Sequence, residues 1–382
     1  MKTLVLGGYG NFGARICQAL AGDARIELLV GGRDLHRAQS LALTLPRGVQ
    51  AVALDHTAGD FGQRLQELGI ALLIHTAGPF QQQDYAVAQA AAAAGAHYID
   101  LADGRRFVCD FPAALNDLFS PRGRTAICGA STVPALSSAV VDHLCSGWQR
   151  LDTIDTCIAP AQTAPRGLAT LAGVLSYCGA PLQVWDGGQW QTRRGWATPD
   201  KVQFARLRPR LGALCDIPDL ELFPTHYRVR HRVMFRAALE VGVAQRGLAG
   251  LASLRAWGVV RQPARLAGVL NACARALDSL GSSLGGMVVR VQGLDASGRA
   301  VRRAWHIAAD HDHGPEIPCM AAILLARKLA GGSALSAGAF TAMNLLTLAE
   351  FEPEFSRWGM LTDVEEEAAR ESHSGMAGRP GC

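Results

Sequence analysis

Lysine is almost missing from this 382-residue chain: it occurs only at Lys2, Lys201 and Lys328, and arginine supplies nearly all the positive charge. A mechanism built on a Schiff base or a catalytic lysine therefore has very few residues to draw on. The tyrosine–lysine pair of short-chain dehydrogenases is missing as well. Tyr9, Tyr85, Tyr98, Tyr177 and Tyr227 are followed four residues later by Gly13, Gln89, Ala102, Pro181 and His231. The ten cysteines contain no C-x-x-C pair and no zinc-ligand spacing, so they read as scattered thiols of a reducing compartment. No apolar run long enough to span a bilayer is free of arginine. The net charge of +4 is small and spread without long basic runs, which removes the argument for a nucleic-acid partner. No signal segment precedes the first strand, so the expected location is cytoplasmic.

What is present is a globular composition, 49% hydrophobic and 18% charged, long enough for two or three cores. The chain opens with Leu4-Val5-Leu6 running into Gly7-Gly8-Tyr9-Gly10-Asn11-Phe12-Gly13. Gly8, Gly10 and Gly13 fit G-x-G-x-x-G. The first allows a tight turn, the second a close approach to a pyrophosphate, and the third packs helix on strand. The phosphates then face the free N–H groups of a helix that starts near Asn11.

Short apolar runs then alternate with helical stretches, as βαβ units do. Strands are predicted at 3–6, 26–30, 50–54, 71–75, 97–101 and 125–128, with helices at 11–21, 35–43, 61–68, 84–94 and 111–118. The expected fold class is α/β, a Rossmann-type doubly wound parallel sheet with an inserted α+β second domain. The expected division is a dinucleotide-binding domain over 1–130 and an inserted substrate or dimerisation domain over 131–313. A helix returns to the first domain over 314–345, and 346–382 is a partly flexible tail, frayed from Glu365 on. Within the insert, 131–145 reads as a helix with Ser131 or Thr132 as N-cap. Strands are expected at 153–159, 227–235, 287–293 and 304–308, and helices across 237–280.

The second strand ends at Arg33-Asp34, about 20 residues past the glycine loop. Arg33 is placed to receive the 2′-phosphate of NADP, and Asp34 fits the N-cap of the next helix. NADP is therefore preferred as cofactor, with NAD as the alternative. Strand four ends at His75-Thr76-Ala77-Gly78-Pro79-Phe80, where ligands sit in open α/β sheets, although a plain turn accounts for the residues equally well. After strand five, Tyr98, Asp100 and Asp103 are candidates for moving a proton or orienting substrate; the rival reading is capping of the next helix. Cys128-Gly129 follows strand six, as pocket lining rather than a nucleophile. Asp310-His311-Asp312-His313 reads as a polar loop before a helix, and no metal is expected.

Taken together these residues resemble the saccharopine dehydrogenase-like oxidoreductases. The resemblance rests on the loop 7–13, the strand end His75–Phe80, Gly95-Ala96-His97-Tyr98-Ile99-Asp100, Cys128-Gly129 and, loosely, 314–322. It implies that Gly8, Tyr9, Gly10, Asn11, Phe12, Gly13 and Arg33 contact the dinucleotide. Thr76, Ala77, Gly78 and Pro79 would lie near the ribose or nicotinamide, and Cys128 and Gly129 would line the substrate pocket. Arg166 is a further candidate, for a substrate carboxylate. Residues 152–310 do not match the substrate domain of saccharopine reductases, so the resemblance implies hydride transfer between NADP(H) and a small-molecule substrate it does not name. Two other readings stay open. One is a regulatory protein that binds NADP(H) without turnover. The other is a membrane-surface reductase of a lipid-like substrate, suggested by Leu248, Leu251, Leu254, Trp257, Val259 and Val260 among arginines. A buried helical pair is the reading favoured for that stretch, and the sequence leaves a homodimer open.

Overall fold

A computed structural model describes residues 1–46, 48–81, 83–165, 167–333 and 335–368 of the chain. Two sheets organise it. The first begins with β1 (Lys2–Leu6), α1 (Asn11–Leu20), β2 (Glu27–Gly32), α2 (Leu35–Thr44), β3 (Gln50–Ala53) and α3 (Phe61–Glu67). It continues with β4 (Leu72–His75), α4 (Ala86–Ala93), β5 (His97–Asp100), α5 (Arg105–Phe119) and β6 (Thr125–Cys128). All pairings in this sheet are parallel.

After α6 (Ser137–Leu144) the chain enters the second sheet through β7 (Arg150–Ala159), then α7 (Leu168–Ser176) and a hairpin of β8 (Pro181–Asp186) and β9 (Gln189–Arg194). Next come β10 (Asp200–Val202), β11 (Arg210–Leu214), α8 (Asp219–His226), β12 (Arg232–Leu239), α9 (Gly242–Ala256) and α10 (Ala267–Ala276). The long hairpin β13 (Gly285–Leu294) and β14 (Ala300–Ala309) leads to α11 (Ile317–Ala330), β15 (Gly338–Thr341), α12 (Leu348–Arg357) and β16 (Leu361–Ala368).

The strand orders are β15-β6-β5-β4-β1-β2-β3 and β10-β11-β12-β7-β13-β14-β16. The first places β1 beside β4, the point where a doubly wound sheet reverses direction and opens a crevice. The pleat sends alternate residues to opposite faces. Val5, Val30, Ile74, Ile99 and Ile127 point to one core, and Leu4, Leu6, Leu73, Tyr98 and Cys128 to the other. α1, α6 and α11 cover the first face with Ile16, Val140, Val141, Met320 and Ile323. Their core runs on into the inner face of the second sheet, at Ile154, Val233, Val289 and Trp305. Burying both faces is what forces the first sheet's strands to be almost wholly apolar.

Four sequence expectations need correction. The stretch 131–145 is not one helix: Thr132–Leu136 forms a single π turn with Val133 extended, and the α-helix starts at Ser137. Neither Ser131 nor any neighbouring side chain caps it. The strand expected at 227–235 starts only at Arg232, and the expected helices begin at Gly242 rather than at 237, because β12 runs on to Leu239 between β7 and β11. The first sheet has a seventh strand, β15, paired with β6. Finally, 346–368 is ordered: α12 carries a capping box between Thr347 and Glu350, and β16 pairs along β14 with Arg303 bonded to Glu366 at 2.8 Å. The remainder of the expected tail lies outside the described residues.

Candidate functional site

The glycine loop joins β1 to α1 at the sheet's reversal point. Gly7 has φ +79°, and its N–H and that of Gly8 both donate to the Gly31 carbonyl, at 2.9 and 3.0 Å. A Cβ on Gly8 would sit 2.8 Å from the Val5 carbonyl, and one on Gly13 would sit 2.8 Å from both Gly8 Cα and Thr76 Oγ1. These neighbours are backbone or tightly held, so no side chain fits. Helix α1 opens at Gly10 with no side-chain cap and no acid in its first turn. Its leading N–H groups are therefore free for an anion.

At the end of β2, the Tyr9 ring fills the space beside Gly32, where a Cβ would lie 2.7 Å from the phenol oxygen. The Tyr9 hydroxyl accepts from the Asp34 N–H at 2.9 Å, and the Arg37 guanidinium lies 4.7 Å from the ring centre. The Asp34 carboxylate accepts from the Arg37 N–H at 3.0 Å, as the N-cap of α2. Arg33 is exposed and, among the described residues, makes no hydrogen bond or ion pair. Thr76 closes the inner side of the loop, its hydroxyl donating to the Leu6 carbonyl at 2.9 Å. Ala77, Gly78 and Pro79 follow it, and Gln83 fixes this turn by donating to the Ala77 and Pro79 carbonyls at 2.8 and 3.0 Å.

The three acid–base candidates separate. Tyr98 is wholly buried, stacked on Phe111 with centroids 5.8 Å apart and its hydroxyl 3.2 Å from His75 Nδ1. Burial drives its phenol well above the usual value and brings the His75 imidazole down to about 3, so both are neutral. Asp100 is also wholly buried. One oxygen accepts from the Ala102 and Gly129 N–H groups at 2.9 and 2.8 Å, and the other is buried without a partner. Its carboxyl is pushed up to about 6, chiefly by burial. Tyr98 and Asp100 thus lie buried at the end of β5, with Asp100 tying the β5 end to the β6 end.

Asp103 is only half-buried and accepts from Gln81 Nε2 at 2.9 Å. Burial raises its carboxyl. Gln81 Oε1 is buried without a partner and lies against Gly173 of α7, where a Cβ would come within 2.9 Å. Tyr177, one turn further on, has a phenol raised well above its usual range by burial, with Cys215 and the Asp103 charge nearby. The second sheet's helices thus close the crevice over the end of β5. Asn11 Nδ2 donates to the Pro165 carbonyl at 3.3 Å, and Arg105 bonds Glu221 at 2.8 Å, the Gln183 carbonyl at 2.8 Å and Asp216 at 3.2 Å.

Cys128 is wholly buried and its thiol is pushed well above the ordinary value by burial and by Asp100. It packs in the core beneath the sheet end. Gly129, at φ +78°, is buried too, with Pro134 Cδ 2.8 Å from where its Cβ would be. Arg166 lies outside the described residues. In the loop 310–313, Ser283 donates to Asp310 and Thr163 to Asp312, each at 2.6 Å. Gln81, Tyr177 and Arg37 were not singled out from sequence. Gln81 carried a usable signal, following the Gly-Pro-Phe strand end directly; Tyr177 carried none, because its place depends on the second domain's docking.

These residues match known proteins in a definite pattern. Residues 3–127 fit the family described as the saccharopine dehydrogenase NADP binding domain. No curated protein sequence matches the chain. Among solved structures, apo saccharopine dehydrogenase (L-Glu forming) from Saccharomyces cerevisiae is similar at TM-score 0.69 and 13% identity, covering 96% of this chain and 100% of that one. Homospermidine synthase from Legionella pneumophila, in complex with NAD, is similar at TM-score 0.60 and 10% identity, covering 100% and 95%. At such identities the likeness is one of fold. Residues 3–127 are thus a saccharopine dehydrogenase-type NADP binding domain, and the chain as a whole shares the fold of saccharopine dehydrogenase.

Proposed function

We propose that the chain is a nicotinamide-dependent oxidoreductase that prefers NADP(H) and acts on a small molecule held between β5 and α7. The observation that carries the reading is the side-chain-free cradle of Gly8, Gly10 and Gly13, with Arg33 unpartnered at its open edge. The uncapped α1 N-terminus would hold the pyrophosphate. Arg33 would hold the 2′-phosphate, with Arg37 over Tyr9 beside it. An acid that might bind a ribose 2′-hydroxyl, Asp34, is already committed as a cap. Thr76, Ala77, Gly78 and Pro79 would border the ribose and nicotinamide.

A bound nicotinamide supplies or accepts the hydride. The chain's own part is to exclude water, orient the reacting carbon and manage one proton. Asp103 fits the proton role: its carboxyl is raised by burial and is held by Gln81 just past the end of β5. Gln81 Oε1, buried and unpaired, would accept from an amide or hydroxyl of the bound molecules. Tyr98 and Asp100 would set the position of the β5 end without touching substrate.

Titration of NADPH and NADH by fluorescence tests the cofactor reading. Arg33→Ala should weaken NADPH about 10–100-fold, the loss of one charge-assisted bond to phosphate, and leave NADH unchanged. Equal weakening of both, or binding of neither by the parent protein, refutes it.

A further inference from the structure

Residues 241–280 contain five arginines and a single acid, Asp278, so this one stretch carries a net +4, as much as the whole chain. It forms α9, a short 3-10 turn at Pro263–Leu266 and α10. Arg255 is used internally, donating to the Ser176 and Cys178 carbonyls at 2.8 and 2.9 Å. Arg246, Arg261, Arg265 and Arg275 are exposed and make no hydrogen bond or ion pair among the described residues.

Large apolar side chains stand exposed among these charges. Trp257 is 76% exposed, Leu280 70%, Val243 69%, Val259 68% and Val269 63%. Val243, Leu254 and Trp257 fall on one stripe of α9 at helical spacing, and Val269, Cys273 and Leu280 on one stripe of α10 and its extension. Large apolar side chains exposed in this number within one span of the chain are the composition of an interaction surface.

We propose that the α9–α10 surface docks on an anionic lipid bilayer, with Trp257, Val259 and their neighbours entering the headgroup region and the four free arginines facing acidic headgroups. Charge decides the occupant. Two copies of the face would bring eight free arginines together against only Asp278 from each, a carboxylate already engaged by Gln162, so self-association is opposed. An exposed Trp at the boundary between apolar and cationic side chains is the composition of interfacial helices. The location has a consequence for the crevice: α10 and the 263–266 turn pack on α7, whose Gly173 meets Gln81. A docked bilayer would lie one helix layer from the site, which suits an apolar substrate. The docking itself does not depend on the oxidoreductase reading.

Co-sedimentation of the full chain with phosphatidylcholine vesicles, with and without phosphatidylserine, tests it. Binding should require phosphatidylserine and fall steeply with salt. Replacing Arg246, Arg261, Arg265 and Arg275 with Gln should weaken it about fivefold per residue and several hundredfold together, and Trp257→Ser should weaken it independently. A far-UV circular dichroism spectrum and urea midpoint unchanged in each variant show that the fold is retained. No sedimentation with phosphatidylserine vesicles overturns the proposal, as does binding that neither variant alters. Light scattering that shows a dimer dissociated by Trp257→Ser also overturns it, because a second copy would then cover the face.

Discussion

Asp100 offers a decisive test of how the crevice is supported. Its carboxyl stands at about 6 in the folded chain against an ordinary 3.8. Between these values the fold holds a proton that the unfolded chain has released. The stabilisation is therefore fully present below about pH 4 and is lost as pH rises through about 6. At about 1.4 kcal/mol per pH unit the loss is roughly 3 kcal/mol, a sizeable part of a typical stability of about 5–15 kcal/mol. Asp100→Asn keeps an acceptor for the Ala102 and Gly129 N–H groups but cannot ionise. It should match the parent within about 1 kcal/mol in acid and exceed it above neutrality. Asp100→Ala strands both buried N–H groups, at about 1–3 kcal/mol each, and should be destabilised at every pH. Urea unfolding followed by tryptophan fluorescence from about pH 4 to about pH 8 reads all three. Burial also raises Asp142, Asp103, Glu316 and Asp219, the last to about 7. The readout is therefore the difference between parent and Asn variant. If that difference does not change with pH, the assignment of a burial-raised carboxyl to Asp100 is wrong.

Three further outcomes follow from the same geometry. Gly13→Ala puts a methyl group against Gly8 and Thr76; NADPH binding should become undetectable by fluorescence titration, and unaltered affinity would contradict the cradle. Asp103→Asn should lower kcat about 10²–10⁴-fold while leaving the NADPH Kd unchanged, with single-turnover kinetics as the check once a substrate is found. Arg105→Ala removes the bonds to Glu221, Asp216 and the Gln183 carbonyl. It should cost about 1–3 kcal/mol in urea unfolding, and a neutral result would mean that this link between the domains contributes nothing.

The first six strands, the glycine loop and the Asp34 cap were legible because each is a local requirement. A glycine at position 13 is demanded by atoms a few residues away plus Thr76, and an N-cap by its own helix. Site membership was less legible. Tyr98, Asp100 and Asp103 crowd into six residues, yet the pleat sends Tyr98 into one core, backbone N–H groups claim Asp100, and Asp103 pairs with Gln81. The placing of Gln81 and Asp103 against α7 is a contact made across some seventy residues of chain.

By itself, then, the sequence determined a parallel-sheet domain, a dinucleotide cradle and the excess of arginine over acid across 241–280, all set by residue type and short-range spacing. Tertiary structure alone decided the rest. Gly-Ala-Phe-Thr at 338–341 is too short to announce a strand, but Gly338–Thr341 pairs with β6 across two hundred residues. Leu361–Ala368 carries three consecutive glutamates, poor strand formers, yet becomes an edge strand because β14 offers an open ladder and Arg303 a partner. Long-range hydrogen bonds override local preference wherever an unpaired edge is waiting, and no window of sequence contains both sides of that exchange.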